Sequence, residues 1–136
     1  MAASRAVADT SVFVALETGR SVDRATIAAY VLSVSVLTQY ELALGVELAS
    51  DASVRRARQA TLAFAESFEG LPVDGPVAAQ LTRIVARLRT AGRRVNLVDA
   101  AIAATAAAHG VPVLSQDGDF AAIAEHSAGA VEAIFV

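Results

Sequence analysis

The sequence predicts an α/β protein with a central, mainly parallel sheet covered by helices on both faces. Short apolar or β-branched runs alternate along the chain with longer segments of helical apolar spacing. No linker, charge block or internal repeat interrupts this alternation. The 136 residues are 55% hydrophobic and 18% charged, which suits one folded domain spanning residues 1–136. Parallel strands need helical crossovers, so this alternation favours strand–helix–strand units.

Five short segments are predicted as strands, and each ends near a turn or the start of a helix. The predicted strands are Arg5–Asp9, Val31–Val36, Leu71–Asp74, Val111–Ser115 and Val131–Val136. The predicted helices are Ser11–Glu17, Val22–Val31, Thr38–Ala49, a helix from Asp51 or Ser53 to Phe68, Pro76–Thr90, Asn96–His109 and a short helix opening at Asp119. The helix from Asn96 has almost no polar face, which indicates burial on most sides.

Composition excludes several classes of protein. The chain has no cysteine, which removes disulfide frameworks, thiol nucleophiles and cysteine-ligated zinc sites. It has no long apolar run that would suggest a membrane span, and its N-terminus is a poor signal peptide, so we expect a cytoplasmic protein with no membrane partner. The net charge of −3 argues against a general nucleic-acid-binding surface. Any contact with nucleic acid must therefore be local.

Acidic residues recur where a predicted strand ends or a predicted helix begins. They are Asp9, Glu41, Asp99, Asp117 and Asp119. Each has a local explanation, because an acid at the start of a helix can cap it or complete a capping box. Thr38 and Glu41 have the spacing of such a box, as do Asn96 and Asp99. In a parallel sheet, however, these positions share the edge where functional sites lie.

Carboxylates crowded at one edge would repel one another unless a cation neutralised them. Mg²⁺ and Mn²⁺ accept oxygen ligands of this kind, and in phosphodiester hydrolysis such metals activate a water molecule. No protein nucleophile is then needed. The two histidines, His109 and His126, agree with this reading, because both are expected to be structural or solvated.

Four segments of the sequence carry a more specific signal. They are VADTSVFVALE, SVLTQYELALGV, NLVDAAIAATAAAHGVPVLSQDGDF and the C-terminal AIFV. Together they closely resemble the PIN-domain family, particularly its VapC-type toxins, over essentially the whole chain. The third segment is the most specific, since it places an acid at the start of an Ile-Ala-Ala-Thr-Ala helix and ends in a D-x-D-F turn.

The resemblance implies a Mg²⁺- or Mn²⁺-dependent endoribonuclease whose fold is a five-stranded parallel sheet. It implies Asp9, Glu41, Asp99 and Asp117 as the catalytic cluster, with Asp9, Asp99, Asp117 and Asp119 as metal ligands. Asp119 binds metal directly in some members of the family and only supports the site in others. Thr10, Ser11 and Ser115 match small polar residues that support the acids in the family.

The resemblance also implies partners. PIN-domain toxins are usually homodimers that cut RNA, and a cognate antitoxin wraps each toxin and covers its acidic site. We expect the antitoxin to dock on apolar residues of the predicted Thr38–Ala49 helix. Alternatives of other classes are a PIN nuclease that is not a toxin, or a catalytically silent PIN-like binding module. Phosphoaspartyl chemistry is disfavoured because the chain has no lysine.

A basic surface would still be needed to hold RNA phosphates beside acidic residues. Arg83, Arg87 and Arg94 are spaced at i, i+4 and i+11, which places them roughly on one face if their helix continues. The hypothesis is that Arg87 and Arg94 contact RNA phosphates near the site. The alternative is a solvated helix face paired with nearby acids.

Overall fold

A five-stranded sheet, parallel throughout, forms the centre of the protein. The computed structural model describes residues 3–136. The strands are β1 (Ser4–Ala8), β2 (Tyr30–Ser35), β3 (Glu69–Leu71), β4 (Val113–Ser115) and β5 (Ala133–Phe135). They lie in the order β3-β2-β1-β4-β5, and all four neighbouring pairs are parallel. The predicted fold class and number of strands are confirmed.

Helices cover both faces of this sheet. They are α1 (Thr10–Thr18), α2 (Arg24–Ala28), α3 (Val36–Glu47), α4 (Ala52–Glu66), α5 (Gly75–Thr90), α6 (Leu97–Ala108) and α7 (Asp119–Glu125). Successive side chains of a strand point to opposite faces. Accordingly, Val7 packs into a core cluster with residues of α5, α6 and α7, whereas Ala8 packs with Phe13 of α1 and Ala65 of α4. Within residues 3–136, no helix is long and apolar enough to cross a membrane.

The helix predicted to be buried on most sides is α6. Every residue from Ala100 to Ala106 is buried. Small side chains make this possible, because alanine allows a helix to approach the sheet and α5 closely without leaving a polar face exposed. The helix therefore holds Asp99, in its first turn, at a defined position against the sheet.

The order of the strands creates a crevice between β1 and β4. From β1 the chain builds outward through β2 to β3, then returns to the other side of β1 to add β4 and β5. Ligands of open parallel sheets bind beyond the carboxyl ends of the strands at such a switch point. Asp9 directly follows β1, and Asp117 follows β4 by two residues. The topology thus brings these two acids to the same crevice.

Several predicted boundaries are wrong, and hydrogen bonding gives the reason. The third strand is Glu69–Leu71 rather than Leu71–Asp74, because Glu69 pairs with Ser33 and Leu71 with Ser35. Asp74 caps α5 instead, since its side chain accepts a hydrogen bond from the Val77 amide. The second helix is Arg24–Ala28 rather than Val22–Val31.

The proposed capping box of Thr38 and Glu41 is also wrong. Ser35 is the N-cap of α3, and its hydroxyl accepts a hydrogen bond from the Leu37 amide at 3.1 Å. The helix therefore starts at Val36, and Thr38 lies buried inside its first turn. Glu41 has no capping role in this arrangement, so its carboxylate is available for another contact.

Candidate active site

Asp9 stands at the end of β1 with its carboxylate held on both sides. Oδ1 accepts hydrogen bonds from the Ser11 amide at 3.1 Å and the Ser11 hydroxyl at 2.6 Å, while Oδ2 accepts one from the Ser115 hydroxyl at 3.0 Å. The amide contact makes Asp9 the N-cap of α1. The residue is 2% exposed, and burial raises its pKa to about 6 even though the two serines lower it. Asp9 is thus both a cap and a buried acid.

The hydroxyls of Ser11 and Ser115 connect Asp9 to the turn after β4. The Ser11 hydroxyl accepts a hydrogen bond from the Gln116 amide at 2.8 Å, and the Ser115 hydroxyl accepts one from the Asp117 amide, also at 2.8 Å. Each serine therefore links the carboxyl ends of β1 and β4, which fixes the distance between Asp9 and Asp117. The supporting role of both serines in catalysis stays a prediction.

The turn Asp117-Gly118-Asp119 brings the carboxylates of Asp117 and Asp119 close to each other. Asp117 Oδ1 accepts a hydrogen bond from the Asp119 amide at 2.9 Å, which closes the turn. Asp119 is the first residue of α7, and Gly118 is at the N-cap position without a side-chain cap. The expected capping role of Asp119 is therefore wrong, and its carboxylate remains available.

Asp99 lies in the first turn of α6, which Asn96 caps. The Asn96 side-chain oxygen accepts hydrogen bonds from the amides of Val98 and Asp99 at 3.0 and 3.2 Å. The reciprocal half of the proposed capping box is missing, because no hydrogen bond within residues 3–136 uses the Asp99 carboxylate. Burial, followed by the charges of Asp117, Glu41, Asp9 and Asp119, raises its pKa to about 7. A local structural explanation therefore fails for Asp99.

Glu41 reaches the site from α3. Its Oε1 accepts a hydrogen bond from the Thr10 hydroxyl at 2.5 Å, and Thr10 also contacts the Thr38 hydroxyl at 3.3 Å. Thr10 thus holds the Glu41 carboxylate, and its supporting role in catalysis stays a prediction. Glu41 is close enough to Asp99 for its charge to raise the pKa of that residue.

The tightest group of acids comprises Asp99, Asp117 and Asp119, which can each offer an oxygen within 4.8 Å of the others. Asp9 and Glu41 lie outside this trio and act on it through charge, since both raise the pKa of Asp99. Acidic groups this close, with one pKa near neutrality, suit a hard divalent cation that accepts several carboxylate oxygens. The donor set therefore fits the predicted Mg²⁺ or Mn²⁺.

The arginines predicted to contact RNA lie apart. The helix α5 ends at Thr90, so Arg94 is outside it and the assumption of one continuous helical face is wrong. Arg94 lines a cavity of about 500 Å³ together with Asp99 and Asp119. Arg87 lines a different cavity of about 330 Å³, where its guanidinium donates a hydrogen bond to the Ser127 carbonyl at 2.9 Å. RNA binding by either residue stays a prediction.

Gln116 is a site residue that sequence reasoning missed. Its side-chain amide donates hydrogen bonds to the carbonyls of Ser21 at 2.7 Å and Val136 at 3.0 Å, which ties the turn after β4 to the loop between α1 and α2 and to the last residue of the chain. The available signal was its place between two polar site residues, Ser115 and Asp117. The two histidines cap α6 and α7 at their C-terminal ends, away from the acidic group.

Comparison with known proteins agrees with this geometry. The PIN domain family matches residues 6–126. Ribonuclease VapC5 of Mycobacterium tuberculosis is 44% identical over 130 residues, covering 96% of this chain and 94% of the relative. Ribonuclease VapC4 of the same organism is 44% identical and covers 88% and 91%.

A solved structure extends the likeness to three dimensions. The crystal structure of VapBC-5 from Mycobacterium tuberculosis, a member of the VapBC family of toxin-antitoxin systems, matches with a TM-score of 0.85 and 37% identity. The match covers 98% of this chain and 99% of the other. With the acids gathered at the β1–β4 crevice, these matches establish that the chain belongs to the PIN-domain family.

Proposed function

We propose that this protein is a metal-dependent endoribonuclease and the toxin of a toxin-antitoxin module. The observation that carries the proposal is the group of Asp99, Asp117 and Asp119 with oxygens within 4.8 Å. The names of the relatives, ribonucleases VapC4 and VapC5, support RNA as the substrate. The reaction is hydrolysis of an RNA phosphodiester bond by an activated water molecule.

The role of each site residue depends on where it lies. Asp99, Asp117 and Asp119 would hold the metal, Mg²⁺ or Mn²⁺, which when bound would supply activation of a water molecule and stabilisation of charge on the phosphate oxygens. Asp9, which is buried and hydrogen-bonded by Ser11 and Ser115, would add a further ligand from the β1 side. Glu41 adds negative charge and can accept a proton from the water. Thr10 keeps Glu41 in place through its hydroxyl.

Metal binding tests the first half of the proposal. Titration of the wild-type protein with Mg²⁺ or Mn²⁺ in a calorimeter should show binding, and Asp99→Asn should weaken it strongly. The same variant should lose RNA cleavage by on the order of 100-fold or more, since a metal ligand is removed. Glu132→Gln is the matched control, because Glu132 is an exposed acid outside the cluster. Equal metal affinity in Asp99→Asn and the wild type would contradict the assignment.

The surface beside the acidic site is suited to binding an antitoxin. Val36, Tyr40 and Leu44 of α3 and Leu48 at its C-cap are exposed at intervals of four residues, with Tyr40 53% and Leu48 70% exposed. The spacing places them along one side of the helix. A cavity of about 290 Å³ joins Leu48 to Thr10 and Glu41. We propose that apolar residues of the antitoxin cover this side while a basic side chain approaches Glu41.

Co-expression tests the partner. The protein expressed with the antitoxin encoded beside it should purify as a complex, and RNA cleavage should be inhibited in that complex. Leu44→Glu combined with Leu48→Glu should weaken the complex, because both charges would be buried in the apolar contact. Leu97→Glu serves as a control, since Leu97 is also exposed but lies on α6. A complex of unchanged affinity in the double variant would exclude this face.

We also expect a homodimer, on the strength of the family resemblance alone. Light scattering of the purified protein measures this directly. A mass equal to that of one chain across the concentrations tested would contradict it.

A further inference from the structure

A cavity of about 500 Å³ extends from the acidic group towards the loop between α5 and α6. Its lining carries both charges, since Asp99 and Asp119 line it together with Arg93 and Arg94. We propose that this cavity holds the unpaired nucleotide next to the cleaved bond, and that Arg94 binds the phosphate of that nucleotide. This inference rests on the proposed ribonuclease function and adds the residues that hold the substrate.

Arg94 is available for such a contact. Within residues 3–136, the ion pairs join Arg5 to Glu69, Arg55 to Glu47 and Arg93 to Glu125. Arg94 therefore has no acidic partner, although it lines the same cavity as two carboxylates. A guanidinium presents paired donors that match two oxygens of a phosphate, which makes a phosphate a better partner than water.

Arg93 can assist from the same loop. Its guanidinium lies 3.9 Å from the Glu125 carboxylate, and both side chains are more than half exposed. Exposed pairs of this length contribute little to stability. Arg93 can therefore leave Glu125 for a stronger anion at small cost.

Asn96 adds a donor whose direction is set by the fold. Its side-chain oxygen is engaged by the amides of Val98 and Asp99, so the amide group has only one possible orientation. The NH₂ end then faces away from the backbone of α6, and Asn96 lines the cavity. This group can donate hydrogen bonds to a phosphate or to a base.

The remaining walls are apolar and suit the face of a base. They consist of Leu88, Val95, Ala122 and Ile123. A volume of about 500 Å³ is in the range of sites that enclose a small molecule, so the cavity has room for one nucleotide and not for a stacked double helix. A base must therefore leave its stack to enter, as happens in loops and single strands of RNA.

The second arginine cavity lacks these features. It contains Arg83 and Arg87, but it has no carboxylate, and Arg87 is already bonded to the Ser127 carbonyl. It therefore does not adjoin the acidic group. Arg94 is retained from the predicted pair of arginines, and Arg87 is replaced by Arg93.

Nucleoside 5′-monophosphates are suitable probes, since they contain a base and a phosphate but no phosphodiester bond for the enzyme to cut. The wild-type protein in Mg²⁺ is titrated with AMP, CMP, GMP and UMP while backbone amide signals are followed by NMR. We expect the largest shifts at Val95 and Asn96 for at least one nucleotide. Arg94→Ala should weaken its binding roughly 10-fold or more, because a hydrogen-bonded charge pair is lost.

Arg89→Ala is the matched control, because Arg89 is exposed in the last turn of α5 and does not line the cavity. Asn96→Ser retains an N-cap but removes the NH₂ donor, so it should weaken nucleotide binding while the melting temperature stays near that of the wild type. In cleavage of single-stranded RNA, Arg94→Ala should raise KM more than it lowers kcat. Its affinity for Mg²⁺ should be unchanged.

The outcomes separate this inference from the proposed function. Shifts confined to other surfaces, or equal nucleotide affinity in Arg94→Ala and the wild type, would overturn the subsite even if RNA is cleaved. A wild-type protein that binds no nucleotide also overturns it. If nucleotides bind in the cavity and depend on Arg94 but no RNA is cleaved, the proposed ribonuclease function fails and a nucleotide site remains.

Discussion

Asp9 and Asp99 stand at the same edge of the sheet, yet their surroundings differ. The carboxylate of Asp9 accepts hydrogen bonds from Ser11 and Ser115, whereas the carboxylate of Asp99 accepts none from residues 3–136. The pKa of Asp9 is raised to about 6 by burial against the lowering effect of these donors. The pKa of Asp99 is raised to about 7 by burial and by four other acids.

The difference shows that the acids of one cluster depend on the folded chain to different degrees. The folded chain already supplies the partners of Asp9, so this residue organises the crevice. No residue of the described chain pairs with the Asp99 carboxylate, so a bound cation would stabilise its charged form. The negative charge of Asp99 is therefore a cost to the metal-free fold and an advantage once metal binds.

The largest effect on stability should come from Asp9. Asp9→Ala removes the N-cap of α1 and leaves the Ser115 hydroxyl without its carboxylate partner, so we expect a loss of about 1–3 kcal/mol in the free energy of unfolding. Asp99→Ala should cost far less, because it removes repulsion and no hydrogen bond. Urea denaturation of both variants without metal measures the two effects. Equal losses in the two variants would remove the distinction between Asp9 and Asp99.

The pH dependence of stability should differ between the metal-free and the metal-bound protein. Both acids have pKa values above their ordinary value of 3.8, so between about pH 4 and pH 7 the folded protein binds more protons than the unfolded chain. The free energy of unfolding of the metal-free protein should therefore fall as pH rises through this range. Melting temperatures measured in EDTA at several pH values check this.

Two further samples sharpen the pH experiment. Asp99→Asn should show a flatter pH profile, because one of the two shifted groups no longer titrates. Addition of Mn²⁺ should stabilise the wild-type protein most at the upper end of the range, where both carboxylates are charged. A metal-free protein whose melting temperature rises from pH 4 to pH 7 would contradict the assigned pKa directions.

The smallest effect on stability should come from removing the hydrogen bond that Thr10 donates to Glu41. Thr10→Val keeps the shape of the side chain but removes the hydroxyl that bonds the Glu41 carboxylate. We expect a loss of about 0.5–1.5 kcal/mol in the free energy of unfolding, and up to about 10-fold slower RNA cleavage. Thr18→Val in the same helix is the control, because its hydroxyl bonds only a backbone carbonyl within α1. Activity equal to that of the wild type would show that Thr10 does not position Glu41.

Much of the fold could be predicted because local pattern determines it. Apolar spacing separates strands from helices, and the alanine-rich run from Ala100 to Ala106 indicates a buried helix wherever it packs. Asp9 and Asn96 act as the caps that their positions predict, since capping depends only on neighbouring residues. Four of the candidate acids could likewise be singled out from the sequence, because Asp9 and Asp117 follow strands and Asp99 and Asp119 lie in the first turn of helices, whereas Glu41 lies inside α3.

Other features depend on contacts between distant segments, and only the tertiary structure decided them. The third strand starts at Glu69 because β2 offers partners there, and Ser35 rather than Thr38 caps α3 because β2 ends at that residue. The end of α5 at Thr90 separates Arg94 from Arg87 and leaves it beside Asp99. Which acids lie within 4.8 Å depends on how α6 packs beside the turn after β4. Sequence pattern specifies residues along one element, whereas distances across the crevice follow from packing between elements.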